Sequence, residues 1–487
     1  MSGNGSGESP TIPIQTNDSP PPRSRHTPRT PPTGGTDFEM EEHPHTGEED
    51  ATERGEMQQG QKFRRGLNGY HIAMINISGT LGVGLYIRTG YILRLAGPFA
   101  VPVSFVIVGL LAWAVMQCIA ELICIFPIPG ALPKIISRLL NKELGVAAGL
   151  AYWFTYAISF SATITAIANE VQYWTGIPGG VQAIIFFIGI PALLVVLNCC
   201  PLEVYWTSEL VGGVLKIAFV VVTFCILFAI NMGASPEGYL GFDFWREDVM
   251  STIRVYDNGV AHTWCYAFFT SLSTAVFAYV GVEIPSAIVL EAKIPRESGG
   301  RAPKTICISA TVLPVVIGLV YFATSFMATF DMRWDDGRLP RAARLDRDHQ
   351  NETSVIGARD TKKGVNSSSI FVLIAEKNSR ALAGAVNAFI LLTALFSANT
   401  NLYVSSRTLF GLMNGMPRMD PGPKDHWTSK LEALVVNNLA VFGQTNQKGL
   451  SVRAVLAACA FGWVPFLSLI GPASPGTTPA SLFRGPV

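Results

Sequence analysis

Charge is scarce in this chain. Charged residues make up 15% of its 487 residues, against about 25% in a typical soluble domain. The formal net charge is +1, which excludes bulk attraction to nucleic acid or to acidic partners. The eight cysteines show neither a disulfide framework nor metal-ligand spacing. Cys118, Cys124, Cys225, Cys307 and Cys459 lie inside apolar runs and read as small hydrophobes, and Cys199 and Cys200 are adjacent. Only seven histidines occur, scattered mostly in tails and loops. With no clustered nucleophile and base, no phosphate loop and no metal spacing, neither an enzyme nor a cofactor is expected. No apolar core follows a basic N-terminus, so no signal peptide is expected.

What the chain does have is apolar length. Hydrophobic residues reach 49% and the mean hydropathy is +0.33. About 20 apolar residues cross a bilayer, and about nine such spans can be drawn: roughly 70–95, 99–126, 144–173, 180–200, 209–231, 262–290, 305–330, 381–405 and 453–471. Residues 1–65 are rich in Pro, Ser, Thr, Gly and charge, too poor in apolar groups to form a core, and read as a disordered tail. The Lys/Arg bias of the loops places that tail in the cytosol. Lys134, Arg138 and Lys142, then Lys293, Arg296, Arg301 and Lys304, then Arg407, Arg418, Lys424 and Lys430 all fall on the same side. The opposite side receives an acidic segment (Asp243, Glu247, Asp248, Asp257) and two weak glycosylation sequons at Asn351 and Asn366. Arg88 and Arg94, near the outer end of span 1, run against the bias.

Two spans carry interruptions. Span 1 contains Ile77-Ser-Gly-Thr-Leu-Gly-Val-Gly-Leu-Tyr-Ile-Arg-Thr-Gly90, with four glycines in a stretch that should be continuous helix. Span 6 contains Phe277-Ala-Tyr-Val-Gly-Val-Glu-Ile-Pro285, where Gly281 weakens the helix and Pro285 removes a donor. Glu283 between them is an acid at bilayer depth, costly unless it meets a cavity or a partner. Small residues at this spacing also serve close helix packing. An offset of five spans, however, is what five-helix inverted repeats require, with the two broken helices at corresponding positions.

These residues resemble a known family. Gly79-Thr-Leu-Gly-Val-Gly-Leu85 is similar to the helix 1 signature of fungal-type amino acid permeases of the amino acid–polyamine–organocation superfamily. Met116-Gln-Cys-Ile-Ala-Glu-Leu122 with Phe126, Pro127 and Gly130 resembles the exit of helix 2, and Tyr152-Trp-Phe154 with Gln172-Tyr-Trp174 brackets helix 3 in the same way. Phe277 to Glu283 with Glu291, Pro295 and Arg296 resembles helix 6 and its loop, and Ser397-Ala398, Tyr403 and Ser405 to Leu409 resemble the end of helix 8. The likeness covers roughly residues 65–470.

The resemblance implies an all-α polytopic membrane protein of the LeuT-type fold, with helices 1–5 and 6–10 as inverted repeats, alternating access and proton-driven uptake of amino acids. The substrate backbone would sit on exposed peptide groups. The N–H groups of Ser78, Gly79, Thr80, Leu81, Gly82, Val83 and Gly84 suit its carboxylate, and the carbonyls of Phe277, Ala278, Tyr279, Val280 and Gly281 suit its ammonium. Bulk at Tyr156, Phe277 and Tyr279 would select the side chain. Lys216 matches a helix 5 lysine that takes the place of a sodium ion in several relatives and is assigned proton coupling together with Glu283. Snorkelling, or pairing with Glu209, is the other reading of Lys216. Glu121, Glu209 and Glu291 are assigned to gating or structure, and Asn198 and Trp174 to the interface. The expected partners are an amino acid, protons and the lipid bilayer, most naturally the plasma membrane, with no protein partner indicated.

Two departures stand out. Many members carry a glutamate in helix 3 where this chain has Thr163, and Glu170 lies two turns on, so a preference for cationic substrates does not carry over. Span 9 ends near Ile470, and 472–487 reads as an irregular tail unlike the family's tenth helix. The domain is thus expected over 66–471 with its second repeat incomplete, as in a truncated or mis-spliced product. An amino acid sensor on the same scaffold and an inactive truncated chain are the rival readings.

Overall fold

The first apolar run folds as two helices. In the computed structural model, which describes residues 69–125, 131–174, 181, 184–246, 249–250, 263–288, 304–340, 369–413, 441–443 and 452–463, α1 (Gly69–Thr80) stops before Leu81 and Gly82, and α2 (Val83–Ala96) resumes. Then come α3 (Ala100–Ile125), the short α4 (Ala131–Leu139), α5 (Lys142–Val171), α6 (Ile190–Cys199) and α7 (Leu202–Ala229). The sixth span is α8 (Trp264–Val276), a 3-10 turn at Phe277–Tyr279 and α9 (Ile284–Ile288). Beyond it lie α10 (Lys304–Asp331), α11 (Ile370–Asn378), α12 (Arg380–Met413) and α13 (Val452–Ala460). The described residues contain no strand. The tails 1–65 and 472–487, Glu291, Asn351 and Asn366 lie outside the described residues.

Local chemistry sets several boundaries. Asn141 caps α5 by accepting from the Glu143 N–H at 3.2 Å, and Glu143 places negative charge in the first turn. A π turn at Ile185–Gly189 leads into α6 just before Pro191, which offers no N–H to the helical ladder. Pro285 acts differently from the sequence expectation. It is the second residue of α9, where a missing N–H costs nothing, and so it starts the half-helix instead of breaking it. The break belongs to Gly281, whose φ of +111° is open to glycine and strained for other residues.

Five described helices are long and apolar enough to cross a membrane: Ala100–Leu122, Lys142–Val171, Glu203–Ala234, Ser309–Asp331 and Arg380–Met413. Together with the broken and shorter spans they make a multi-pass membrane bundle. Its most extensive helix contacts join α3 to α10 and α5 to α12, and α2 lies against α8. These are spans 2 with 7, 3 with 8 and 1 with 6, each pair five apart, and α1 packs in addition on α7, which joins spans 1 and 5. At the contact of spans 1 and 6 a methyl on Gly84 would collide with the Ala278 backbone, which holds the two broken spans in direct backbone contact.

Hydropathy placed some boundaries differently. It started span 5 at residue 209, but α7 begins at Leu202 because Pro201 marks its N-cap and the aromatic pair Tyr205 and Trp206 is buried as helix. Lys216 is therefore 14 residues from the helix start, about 21 Å at 1.5 Å per residue. α11 was not foreseen. Nine residues are too few to span, yet Ile370 to Ala375 are all buried, packed on α2 with Phe371 edge-on to Tyr86 at 5.4 Å. The two arginines that run against the loop bias also find partners. Arg94 donates to the carbonyls of Asp336 at 2.6 Å and Leu339 at 3.3 Å, and Arg88 lies 4.7 Å over the Phe277 ring.

Replacing Arg94 by Ala removes both bonds from a charged donor and is expected to cost about 1.5–3 kcal/mol, seen as a lower thermal unfolding midpoint in detergent. Gly281→Ala forces a side chain into a strained conformation and is expected to cost about 1–3 kcal/mol in the same assay. Gly189→Ala, where an added methyl meets nothing nearer than 3.7 Å, should leave the midpoint unchanged.

Candidate functional site

The two interruptions meet at the centre of the bundle. At the first, the Leu81 N–H still closes onto Ile77 O at 2.9 Å, and the next helix opens with Leu85 N–H to Gly82 O at 3.2 Å. At the second, Val282 N–H reaches Tyr279 O at 3.2 Å and Ile284 N–H reaches Gly281 O at 3.1 Å. A helix that stops leaves carbonyls without partners, and at bilayer depth only protein can supply them. Tyr321 of α10 brings one hydroxyl to two of them. Its hydroxyl lies 2.6 Å from Thr80 O and 2.9 Å from Ala278 O, one carbonyl from each break. Asn76 adds a second tie, donating from Nδ2 to Val282 O at 3.3 Å while the Thr80 hydroxyl donates to Asn76 O at 2.9 Å.

Side chains from the second break point in different directions. Glu283 accepts from the Tyr156 hydroxyl at 2.8 Å and from the Gly281 N–H at 3.3 Å. Tyr156 is fully buried and meets Tyr152 edge-on at 5.0 Å. Phe277 is half-buried beneath the Arg88 guanidinium. Tyr279 turns toward α3 and α10: its hydroxyl donates to Phe105 O at 2.7 Å and its ring lies edge-on to Tyr321 at 5.1 Å.

Lys216 reaches the first break from α7. It is buried, and its ammonium donates to Ser78 O and to Ser397 Oγ, the latter at 2.7 Å. Glu209, two turns earlier on the same helix, is also buried. Its carboxylate accepts from Asn399 Nδ2 at 2.6 Å and Thr400 Oγ1 at 2.9 Å. Asn399 in turn accepts from Asn198 Nδ2 at 2.9 Å, so Asn198 is an interior link and not the interface residue expected. Trp174 is exposed just past the C-terminal end of α5. Thr163 donates to Ser159 O at 2.7 Å within its own helix.

The structure thus brings together Ser78 to Gly84, Phe277 to Gly281, Tyr156, Glu283, Lys216 and Glu209. Glu121 stands apart, exposed near the C-terminal end of α3. Sequence reasoning missed Tyr321 and Asn76. It also read Ser397-Ala398 only as a likeness and passed over Asn399-Thr-Asn401, although polar side chains at four of the five mid-span positions 397–401 were a signal in themselves. Ser397, Asn399 and Thr400 each bond another helix, and Asn401 donates to Thr163 at 3.4 Å. Among the described residues no group of three or more His, Cys, Asp or Glu is placed to hold a metal ion. Chemically, the centre offers bare peptide groups at two helix ends, one shared hydroxyl, and a lysine and a glutamate, each buried.

Comparison with known proteins agrees with this architecture. The sequence model of the family described as amino acid permease matches residues 71–470. A probable lysine/arginine permease of Candida albicans is 28% identical over 412 residues, 84% of this chain and 62% of that protein. A lysine-specific permease of Saccharomyces cerevisiae is 25% identical over 405 residues, 83% of this chain and 58% of that one. The chain spans about three fifths of the length of these curated relatives. Among solved structures, the substrate-bound outward-open state of a Na+-coupled sialic acid symporter superimposes with a TM-score of 0.51 at 12% identity, over 84% of this chain and 76% of that one. That likeness concerns the fold alone, which is of the LeuT type with spans 1 and 6 discontinuous. The match across 71–470, on top of two broken helices meeting five spans apart, means that the chain belongs to the amino acid permease family.

Proposed function

We propose that this chain carries amino acids across a membrane by alternating access, driven by protons, with residues 66–471 acting as the transport domain. The observation that carries the reading is the meeting of the two breaks: peptide groups of Ser78 to Gly84 face those of Phe277 to Gly281, and the Tyr321 hydroxyl lies between Thr80 O and Ala278 O. Amide N–H groups at the start of α2 complement a substrate carboxylate. Carbonyls at the end of α8 complement its ammonium. Tyr156 and Phe277 then limit the volume left for the substrate side chain, whereas the Tyr279 ring, turned toward α3, acts as a support for the break.

Proton coupling falls to Lys216. A buried ammonium is costly at bilayer depth, and this one is held by Ser78 O of α1 and Ser397 of α12, two helices that alternating access moves relative to α7. Losing the proton strips the charge from both bonds at once and weakens them, although the neutral amine keeps two N–H groups. Glu283, held by Tyr156, supports the inner half of span 6. The Lys/Arg bias of the loops puts the N-terminus in the cytosol, and the plasma membrane is the proposed location. Relatives named for lysine and arginine put cationic amino acids first among substrates to try.

Uptake of radiolabelled amino acids by cells expressing this chain, compared at acid and neutral pH, tests the reading. Faster uptake at acid pH is expected, and Lys216→Ala should abolish the difference. Binding without net uptake would instead identify a sensor, and a pH-independent wild type would remove Lys216 from the mechanism. Tyr321→Phe keeps the ring but strips the hydroxyl from two carbonyls. It is expected to cost about 1–3 kcal/mol, a loss of about 5- to 150-fold in kcat/KM.

A further inference from the structure

Glu209 has no part in the transport cycle described so far, although it is fully buried on the same helix as Lys216. The two lie seven residues apart, about 10 Å along the axis, and Glu209 is the nearer to the start of α7, on the proposed cytosolic side. One residue of α1 touches both. The carbonyl of Ser78 accepts from the Lys216 ammonium. The hydroxyl of the same Ser78 is beside the Glu209 carboxylate but closes no hydrogen bond of good geometry. From α12, Ser397 bonds Lys216, and Asn399 and Thr400 bond Glu209. Hydroxyl groups thus stand at each ionisable group, Ser397 at Lys216 and Thr400 at Glu209, and Ser78 adjoins both.

The other ionisable groups at this end sit outside that shell. His71 of α1 is half-exposed with its ring 6.3 Å from Trp206, and Glu203 is exposed in the first turn of α7. Tyr205 and Tyr403 stack on each other at 4.0 Å, with Arg407 over the Tyr403 ring at 5.1 Å. From α6 only the amide of Asn198 reaches the shell, through Asn399.

We propose that Glu209 is the inner proton acceptor of the cycle, taking the proton that Lys216 gives up and passing it to the cytosol. The inference rests on the proton-coupled reading of Lys216 given above. In the transfer the ammonium loses one proton and becomes an amine, and the carboxylate gains one and becomes a carboxylic acid. Intervening hydroxyls each accept one proton and donate one, and so end unchanged. The pair is net neutral before and after, so the step buries no uncompensated charge. Because α1 supplies contacts to both groups, movement of α1 at its Ser78 end breaks the path between them and opens Glu209 to the inside. This assigns α1 a second duty, as the switch on proton release.

The test uses the full chain in proteoliposomes with an equimolar mixture of radiolabelled amino acids. Net accumulation driven by a pH gradient is read beside exchange at equal pH, which needs no proton release. Glu209→Gln keeps the shape of the side chain and a partner for Asn399, and is expected to retain exchange while losing gradient-driven accumulation. Glu209→Asp should recover part of that accumulation. If the wild type responds to the gradient and Glu209→Gln responds equally, the inference alone fails. It also fails if exchange and accumulation fall together in Glu209→Gln and Glu209→Asp alike, since the carboxylate is then structural. If the wild type ignores the gradient, the reading of Lys216 fails first and takes this inference with it.

Discussion

A peptide group at bilayer depth has no water to turn to, and this single constraint organises the molecule. Two helices stop in mid-membrane, so their freed carbonyls must find donors within the protein. The donors come from other spans: Tyr321 of α10 for Thr80 and Ala278, Lys216 of α7 for Ser78, and Asn76 of α1 for Val282. Each of these helices is thereby fixed in position relative to the breaks. The interruption looks like a defect in two helices, yet it is what specifies the placement of at least two more.

Much of this was legible in the sequence because it is a matter of backbone. Four glycines in one span, Gly281 before Pro285 in another, and an offset of five spans between them are visible without any contact map. Side-chain ties were harder to see. Tyr321 is one tyrosine in an apolar span, and nothing in its immediate neighbours reveals that two carbonyls converge on it. Lys216 was legible as a buried cation, but its depth was underestimated, because hydropathy falls at Tyr205 to Glu209 while the helix itself continues. α11 escaped for the opposite reason. It is apolar and buried but too short to span, so a search for membrane crossings passes over it.

The polar stretch of α12 shows how a membrane bundle substitutes for the hydrophobic effect. Lipid tails are as apolar as leucine, so helix association rests on packing and on bonds between helices. Ser397, Asn399, Thr400 and Asn401 engage α7, α6 and α5 within little more than one helical turn. The same helix makes one of the two broadest contacts in the bundle, with α5. A polar core and a wide apolar seam on one helix give it both a fixed register and a stable mount.

Tyr321 has one further consequence. A phenol carries a single hydrogen, and two carbonyl oxygens stand within its reach. At any instant this hydrogen serves one of them, and the shorter separation, 2.6 Å against 2.9 Å, favours Thr80 O over Ala278 O. The carbonyl left over belongs to the other break, so any second donor brought to this centre would be felt at both breaks at once.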